Sequence, residues 1–282
     1  MEDQDPTIPF NTGTQALVRF ATILGAKLFL PRVLPLISQA LNTPDWRYRA
    51  AGATAIAYVA EGIQGPFSEQ LPSVLPSLLG ALTSDPHPRV KYSAMSAIAR
   101  LSVVFGGDFQ NQFTDEIIPV VISAFNNTEH QRLLKQYLLG LVDFINRAEL
   151  STMSPHLNDI LERVNSFCSA QDVQIQTAAF SLVATIANLC ENGEFAPFYG
   201  TFINGLVTVL QADASSVDLK KRRDKAVECL GMSRFYLISR AIFLDLTYTL
   251  INLLLCLCLC LCRLPHVGNV NLSGSILLNM IQ

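Results

Sequence analysis

The stretch LPRVLPLISQAL at residues 30–41 returns forty-one residues later as LPSVLPSLLGAL at residues 71–82, with seven of twelve positions identical and both prolines kept. In the second copy Leu71, Val74, Leu75, Leu78 and Leu82 fall at i, i+3, i+4, i+7 and i+11. In the first, Leu30, Val33, Leu34, Ile37 and Leu41 do the same. That spacing lays the aliphatic side chains along one face of an α-helix. IIPVVISAF from Ile117 repeats the pattern, with Pro119 in the place of Pro35 and Pro76.

A second helix follows each of these. WRYRAAGATAIA starts at Trp46, PRVKYSAMSAIA at Pro88, QRLLKQYLLGLV at Gln131 and VQIQTAAFSLVA at Val173, at offsets of 42, 43 and 42. A looser fifth copy, KKRRDKAVECLG, starts at Lys220. Val90, Ala94, Ala97, Ile98, Leu101 and Phe105 form the apolar face of the second copy. The small residues Ala50, Ala51, Gly52, Ala94, Ala97, Ala178 and Ala179 are expected to let neighbouring helices approach closely. Between the helices lie NTPD (42–45), TSDP (83–86), NNTE (126–129) and SAQD (169–172), which are N-cap and turn chemistry. No stretch alternates with period two for long enough to predict a sheet. A fixed period near forty residues predicts an all-α fold, an α-solenoid of about five HEAT or armadillo-type hairpins. Pro31 and Pro72 are expected near first turns, where a missing N–H costs nothing. Pro35, Pro76 and Pro119 lie deeper and predict a bend in each first helix.

Composition sets bounds. Half of the 282 residues are hydrophobic, enough for a folded body. A formal charge of −3 gives no electrostatic case for nucleic acid. The start, MEDQDPTIPF, is acidic and has no apolar h-region, which argues against a secretory signal. Cys168, Cys190 and Cys229 are scattered and odd in number, which fits reduced thiols better than a disulfide frame.

The phrases TPDWRYRAAGATAIAYVAEG (43–62) and TSDPHPRVKYSAMSAIARL (83–101) carry a more specific signal. TQALVRFATILGAKLFLP (14–31) precedes them, and FAPFYGTFINGLVTVL (195–210) and KKRRDKAVECLG (220–231) follow in register. Over residues 14–232 the chain resembles the importin-β, or karyopherin-β, family of nuclear transport receptors, most nearly its beta-3 type. Members of that family have about twenty such repeats, so the resemblance is to an internal stretch, and EDQD (2–5) looks like the remnant of an acidic insertion. The resemblance implies that the second (B) helices hold cargo on a concave face. It also implies that phenylalanine-glycine nucleoporins enter apolar slots between the first (A) helices. Cargo of this type carries basic localisation signals, as ribosomal proteins and histones do. The family repeats that make a main contact with the GTPase Ran have no counterpart here, which puts Ran binding in doubt. The implied location is cytoplasm and nucleus, at the nuclear pore.

The resemblance marks Glu61 and Asp143 as acids for cargo lysines, while Val18 and Val104 stand where similar receptors carry aspartate. Glu61 and Asp143 lie 82 residues apart, about two repeats, on the same kind of helix, so they are expected to face one groove. The alternative for both is an ordinary solvated helix end. His87, His130, His156 and His266 have no ligand partner at metal spacing and are read as caps or exposed rings. No nucleophile elbow or P-loop occurs, and NLCENG (188–193) and AEGIQG (60–65) are glycine-bearing helix ends. The chain is read as a binding protein rather than an enzyme, with no cofactor and no metal. KKRR (220–223) is read as a solvated run, and Trp46 as a residue of the seam between repeats.

Three segments are expected, namely an acidic or irregular lead at 1–13, the solenoid at 14–232 and an apolar tail at 233–282, irregular or helical, that departs from the family pattern. In the tail, the four cysteines from Cys256 to Cys262 stand two apart, which does not make the paired knuckles of a zinc fold. Residues 246–262 carry no charge over seventeen positions, the short limit for a span, so a tail anchor is one expectation. The other, favoured by the leucine-cysteine alternation and the loss of register, is a mistranslated end. A membrane is a partner only if the tail is genuine. The functional alternative to transport is a HEAT scaffold or adaptor, tail-anchored or not.

Overall fold

The computed structural model describes residues 7–128, 130–190, 195–211 and 216–232. The chain divides into two units, Met1–Ser233 and Arg234–Gln282. The tail expectations, and His266 with them, lie outside the described residues, as do residues 1–6 of the lead, whereas its residues 7–13 are helical and not irregular.

Every element among the described residues is helical. In order they are α1 (Thr7–Leu41), α2 (Trp46–Gly62), the short α3 (Gln64–Ser68), α4 (Leu71–Ser84), α5 (Pro88–Phe105), α6 (Gly107–Asn126), α7 (Gln131–Ile145), α8 (Leu150–Met153), a 3-10 turn (Ser154–His156), α9 (Leu157–Cys168), α10 (Val173–Leu189), α11 (Ala196–Gln211) and α12 (Val217–Met232). Helix α1 is two repeat helices in line. Gly25 breaks it with φ 69° and ψ 164°, a conformation that residues with a Cβ rarely adopt. The part after Gly25 is the first A helix, followed in that role by α4, α6, α9 and α11. The part before it is a B helix, followed by α2, α5, α7, α10 and α12.

Neighbour contacts run in single file. The B helices touch in the sequence α1, α2, α5, α7, α10, α12, and the A helices α4, α6, α9 and α11 touch in turn. The four well-repeated B helices begin at the residues the repeat predicts, whereas α12 begins three residues before Lys220. This is a HEAT-repeat α-solenoid.

The core is the seam between the two helix layers. Leu71, Leu75, Leu78 and Leu82 of α4 are buried, as are Val90, Ala94, Ala97, Ile98 and Leu101 of α5. Gly52 sits where a Cβ would stand 3.2 Å from Ala40 and Leu41, and Ala178 and Ala179 are buried. Ala51, expected to serve the same close approach, faces solvent instead. Gly62 is the crossing held closest to backbone. A Cβ there would lie 2.5 Å from Ala21 Cβ and 2.8 Å from the Val18 carbonyl oxygen, so only glycine lets the end of α2 cross α1.

Pro72 occupies the first turn of α4, as expected. Pro31 does not sit in a first turn; it lies inside the helix that follows Gly25, with Pro35. Pro35, Pro76 and Pro119 are interior to their helices. All five prolines are exposed. The carbonyls each interior proline leaves without a donor are therefore on the wetted side, where water replaces the lost bond. Helices bend convex toward solvent, the same direction.

Two of the A-to-B turns are capped by their own aspartate, while α5 is capped by His87 instead and α7 has no side-chain cap. Asp45 Oδ1 accepts from the Arg47 amide at 2.9 Å, and Asp172 Oδ1 from Gln174 and Ile175 at 2.8 and 3.0 Å. Asp85 does more. It accepts from the His87 amide at 2.8 Å, and Arg49 donates to its two oxygens at 2.6 and 3.0 Å. Arg49 also donates to the carbonyls of Thr43 and Pro44, so one side chain ties consecutive turns together. Trp46 lies in the seam, stacked on His87 with centroids 4.0 Å apart.

Burial alone would raise the Asp85 pKa. The Arg49 hydrogen bond, the His87 amide and the Arg49 charge together outweigh it and hold the carboxyl below the usual range. Asp85 thus contributes stability that is complete above its unfolded value, about 3.9, and is lost as pH falls through its lower folded value. Asp85→Asn is expected to lower the thermal midpoint at pH 7 by roughly 5 °C and to flatten the loss of stability below about pH 4, read by circular dichroism melts across pH. Leu75→Ala, which empties a site at 1% exposure, should cost about 3 kcal/mol in urea denaturation.

Candidate functional site

A groove of about 590 Å³ runs along the B-helix wall across α2, α5 and α7. Glu61, in the last turn of α2, and Asp143, near the end of α7, both line it. They lie on one wall because each stands close to the end of a B helix, two repeats apart. Between them come Val103 and Val104 of α5, with Tyr58 and Tyr92 beside them. The centre of the groove is therefore apolar and aromatic, and its two carboxylates are at the flanks.

The two acids differ. Arg100, one helix along, donates from both Nε and Nη2 to Glu61 Oε2, the former at 2.7 Å. Its guanidinium also covers the Tyr58 ring, 4.2 Å from the centroid. Glu61 is thus not an open carboxylate. Asp143 has no hydrogen bond or ion pair to any described residue, and its tip is wetted. The groove walls still hem it in, and that burial raises its pKa above the ordinary aspartate value.

Arg100 escapes a sequence reading that looks for equal positions in successive repeats. It follows Glu61 by 39 residues, one repeat less one helical turn. The same offset recurs along the wall. Gln64 donates to the Val104 carbonyl at 3.1 Å, Gln136 to Ser96 at 3.0 Å and Lys135 to Gln174 at 3.1 Å, each pair 39 or 40 residues apart. The Arg100, Gln136 and Lys135 bonds rung consecutive B helices together, and Gln64 does the same from α3. From the basic run, Arg222 joins them by donating to Gln176 at 3.0 Å, while Lys220 and Lys221 are exposed. The expectation of a wholly solvated KKRR run therefore holds for Lys220 and Lys221 and fails for Arg222. His87 caps α5 by accepting from the Arg89 amide, and His156 bonds Asp115 at 2.8 Å.

On the A side, a cavity of about 520 Å³ opens between α1 and α4, lined by Leu34, Ile37, Leu41 and Val74, with Arg49 and Asp85 at its edge. Among the described residues no group of three or more His, Cys, Asp or Glu has metal-site geometry.

Comparison with known proteins agrees with this architecture. A HEAT-like repeat family model matches residues 46–101. Importin subunit beta-3 of Saccharomyces cerevisiae is 26% identical over 233 residues, 83% of this chain and 21% of that protein. Importin subunit beta-1 of Arabidopsis thaliana is 23% identical over 202 residues, 65% of this chain and 22% of that one. Among solved structures, the karyopherin Kap121p bound to Nup53p superposes with a TM-score of 0.73 at 26% identity, covering 82% of this chain and 22% of Kap121p. Kap121p bound to RanGTP gives 0.70 at 25% over the same shares. The class is therefore that of HEAT-repeat α-solenoids. Within that class the chain is a karyopherin-like HEAT-repeat segment, and it spans about a fifth of the length of the relatives it matches.

Because the folded Asp143 pKa is raised, the native state is penalised as pH climbs through the unfolded and then the folded value. Asp143→Asn should leave stability at pH 7 unchanged or slightly higher, with the wild-type Asp143 carboxyl titrating above about 3.9 by carbon NMR. A loss of stability in the variant would show that Asp143 is a structural residue.

Proposed function

We propose that this chain is a cargo- and nucleoporin-binding segment of a nuclear import receptor of the beta-3 type, shuttling between cytoplasm and nucleus through the pore, with residues 14–232 as its working part. The observation that carries it is the unpartnered Asp143 in a groove of the B-helix wall, in a chain superposing on Kap121p over 82% of its length. A cargo lysine meets Asp143 directly, and its aliphatic stem lies along Val103, Val104 and Tyr92. Glu61 takes a second cation only when that cation displaces Arg100. The exchange is close to balanced, since a half-exposed ion pair is worth about 0–1 kcal/mol. The A-side cavity by Leu34, Ile37 and Val74 suits an apolar ring of a phenylalanine-glycine repeat. Each contact is weak, and several used together give affinity.

The test is fluorescence anisotropy with a lysine-bearing localisation peptide. Asp143→Asn should weaken binding about five- to tenfold, and the wild-type affinity should rise with pH through a midpoint above about 3.9. Separately, a phenylalanine-glycine repeat resin should retain the wild type and release Val74→Asp. Failure of the lysine peptide to bind at any pH would remove the cargo role, and failure on the resin would remove the nucleoporin role.

A further inference from the structure

We infer that the B-helix wall carries a second, oppositely charged site that takes an acidic peptide, on the groove between the first turns of α5 and α7. This groove, about 500 Å³, is lined by Arg89, Arg132 and Lys135 with Tyr92 and Leu139, and among the described residues no carboxylate lines it. The repeat explains why it is positive. Arg47, Arg89 and Arg132 are the second residues of α2, α5 and α7, at successive offsets of 42 and 43. Arginine is unfavourable in a first turn, where the helix dipole is positive, and none of these three helices has an acid there. In α2 the problem is solved locally, because the capping residue Asp45 stands 3.6 Å from the Arg47 guanidinium.

In the next two repeats that cap is not an acid. The position of Asp45 is filled by His87 and then by His130. Arg89 and Arg132 accordingly have no ion pair among the described residues, and Arg89 rests on the Tyr92 ring, 5.8 Å from the centroid. In α10 the acid cap Asp172 returns, and the arginine position becomes Gln174. Unpaired first-turn arginines thus occur in two consecutive repeats, and those two line one cavity. Apart from the Arg89–Tyr92 contact, no interaction among the described residues uses these two guanidinium groups, whereas an anionic ligand would pair with both.

An acidic peptide fits better than nucleic acid. The groove is short, the chain is net negative, and Leu139 and Tyr92 offer apolar contact beside the cations. Arg132 and Asp143 stand eleven residues apart on α7, roughly 16 Å along the helix axis. The wall is therefore polar in the electrical sense, positive at the B-helix starts and negative toward their ends.

The experiment is anisotropy at low salt with a fluorescein-labelled peptide of roughly twelve Glu, Asp and Ser residues, long enough to cross the groove. The full chain should bind it, and the double variant Arg89→Glu/Arg132→Glu should weaken binding about tenfold or more. Lys27→Glu, an exposed change on α1, should shift it less than about twofold. Circular dichroism establishes that each variant is folded. No binding by the wild type overturns the inference, as does an equal loss in Lys27→Glu, which would make the attraction a bulk charge effect. Tighter binding of a single-stranded oligonucleotide of matched charge would also overturn it. None of these outcomes bears on the lysine peptide, so the site stands or falls apart from the cargo role.

Discussion

No single hairpin in this chain has enough apolar surface facing itself to fold alone; each must lend one face to the next. That constraint makes the structure one-dimensional. The fully buried alanines and glycines of the B helices set the spacing between neighbours, and the leucines of the A helices fill what remains. Gly62 shows how little slack there is, since a single methyl at that crossing would meet backbone. The order of the helices, their common direction and the existence of one continuous wall all follow from this shared burial.

On that apolar frame the polar residues do two kinds of work. Arg49 and Asp85 join one turn to the next and are partly out of water. The rungs between B helices range from the half-exposed Glu61–Arg100 pair to Gln176–Arg222, in which Gln176 is buried, and those on the wetted side are individually weak. Glu61, Arg100, Gln136 and Lys135 line the two grooves and take part in these bonds, whereas Asp143, Arg89 and Arg132 do not. Asp143 stands on the same wall as these rungs and makes none. Arg47 pairs with its capping Asp45, whereas Arg89 and Arg132 follow histidine caps and form no ion pair among the described residues.

The sequence made the fold legible because period and amphipathicity act at the level of residue type. B-helix starts at Trp46, Pro88, Gln131 and Val173 could be read from caps and offsets alone. Pro31 was harder, since its place depends on Gly25 ending the preceding helix with a left-handed residue, and nothing nearby marks that break. For the groove, equal repeat positions brought Glu61 and Asp143 to one wall. They could not reveal that Arg100 covers Glu61, because that pairing runs between repeats at a shifted register. Side chains long enough to reach across a helix spacing are the part that periodicity does not encode.

The rungs have a mechanical meaning as well. Stretching or coiling a stack of this kind changes the angle between successive hairpins by a little at each joint, and the changes sum along its length. Bonds that water can replace on the wetted wall offer small resistance to such turning, while the dry seam keeps the joints from parting. The molecule therefore behaves as a torsion spring with a soft constant, whose pitch can be set by whatever lies along it.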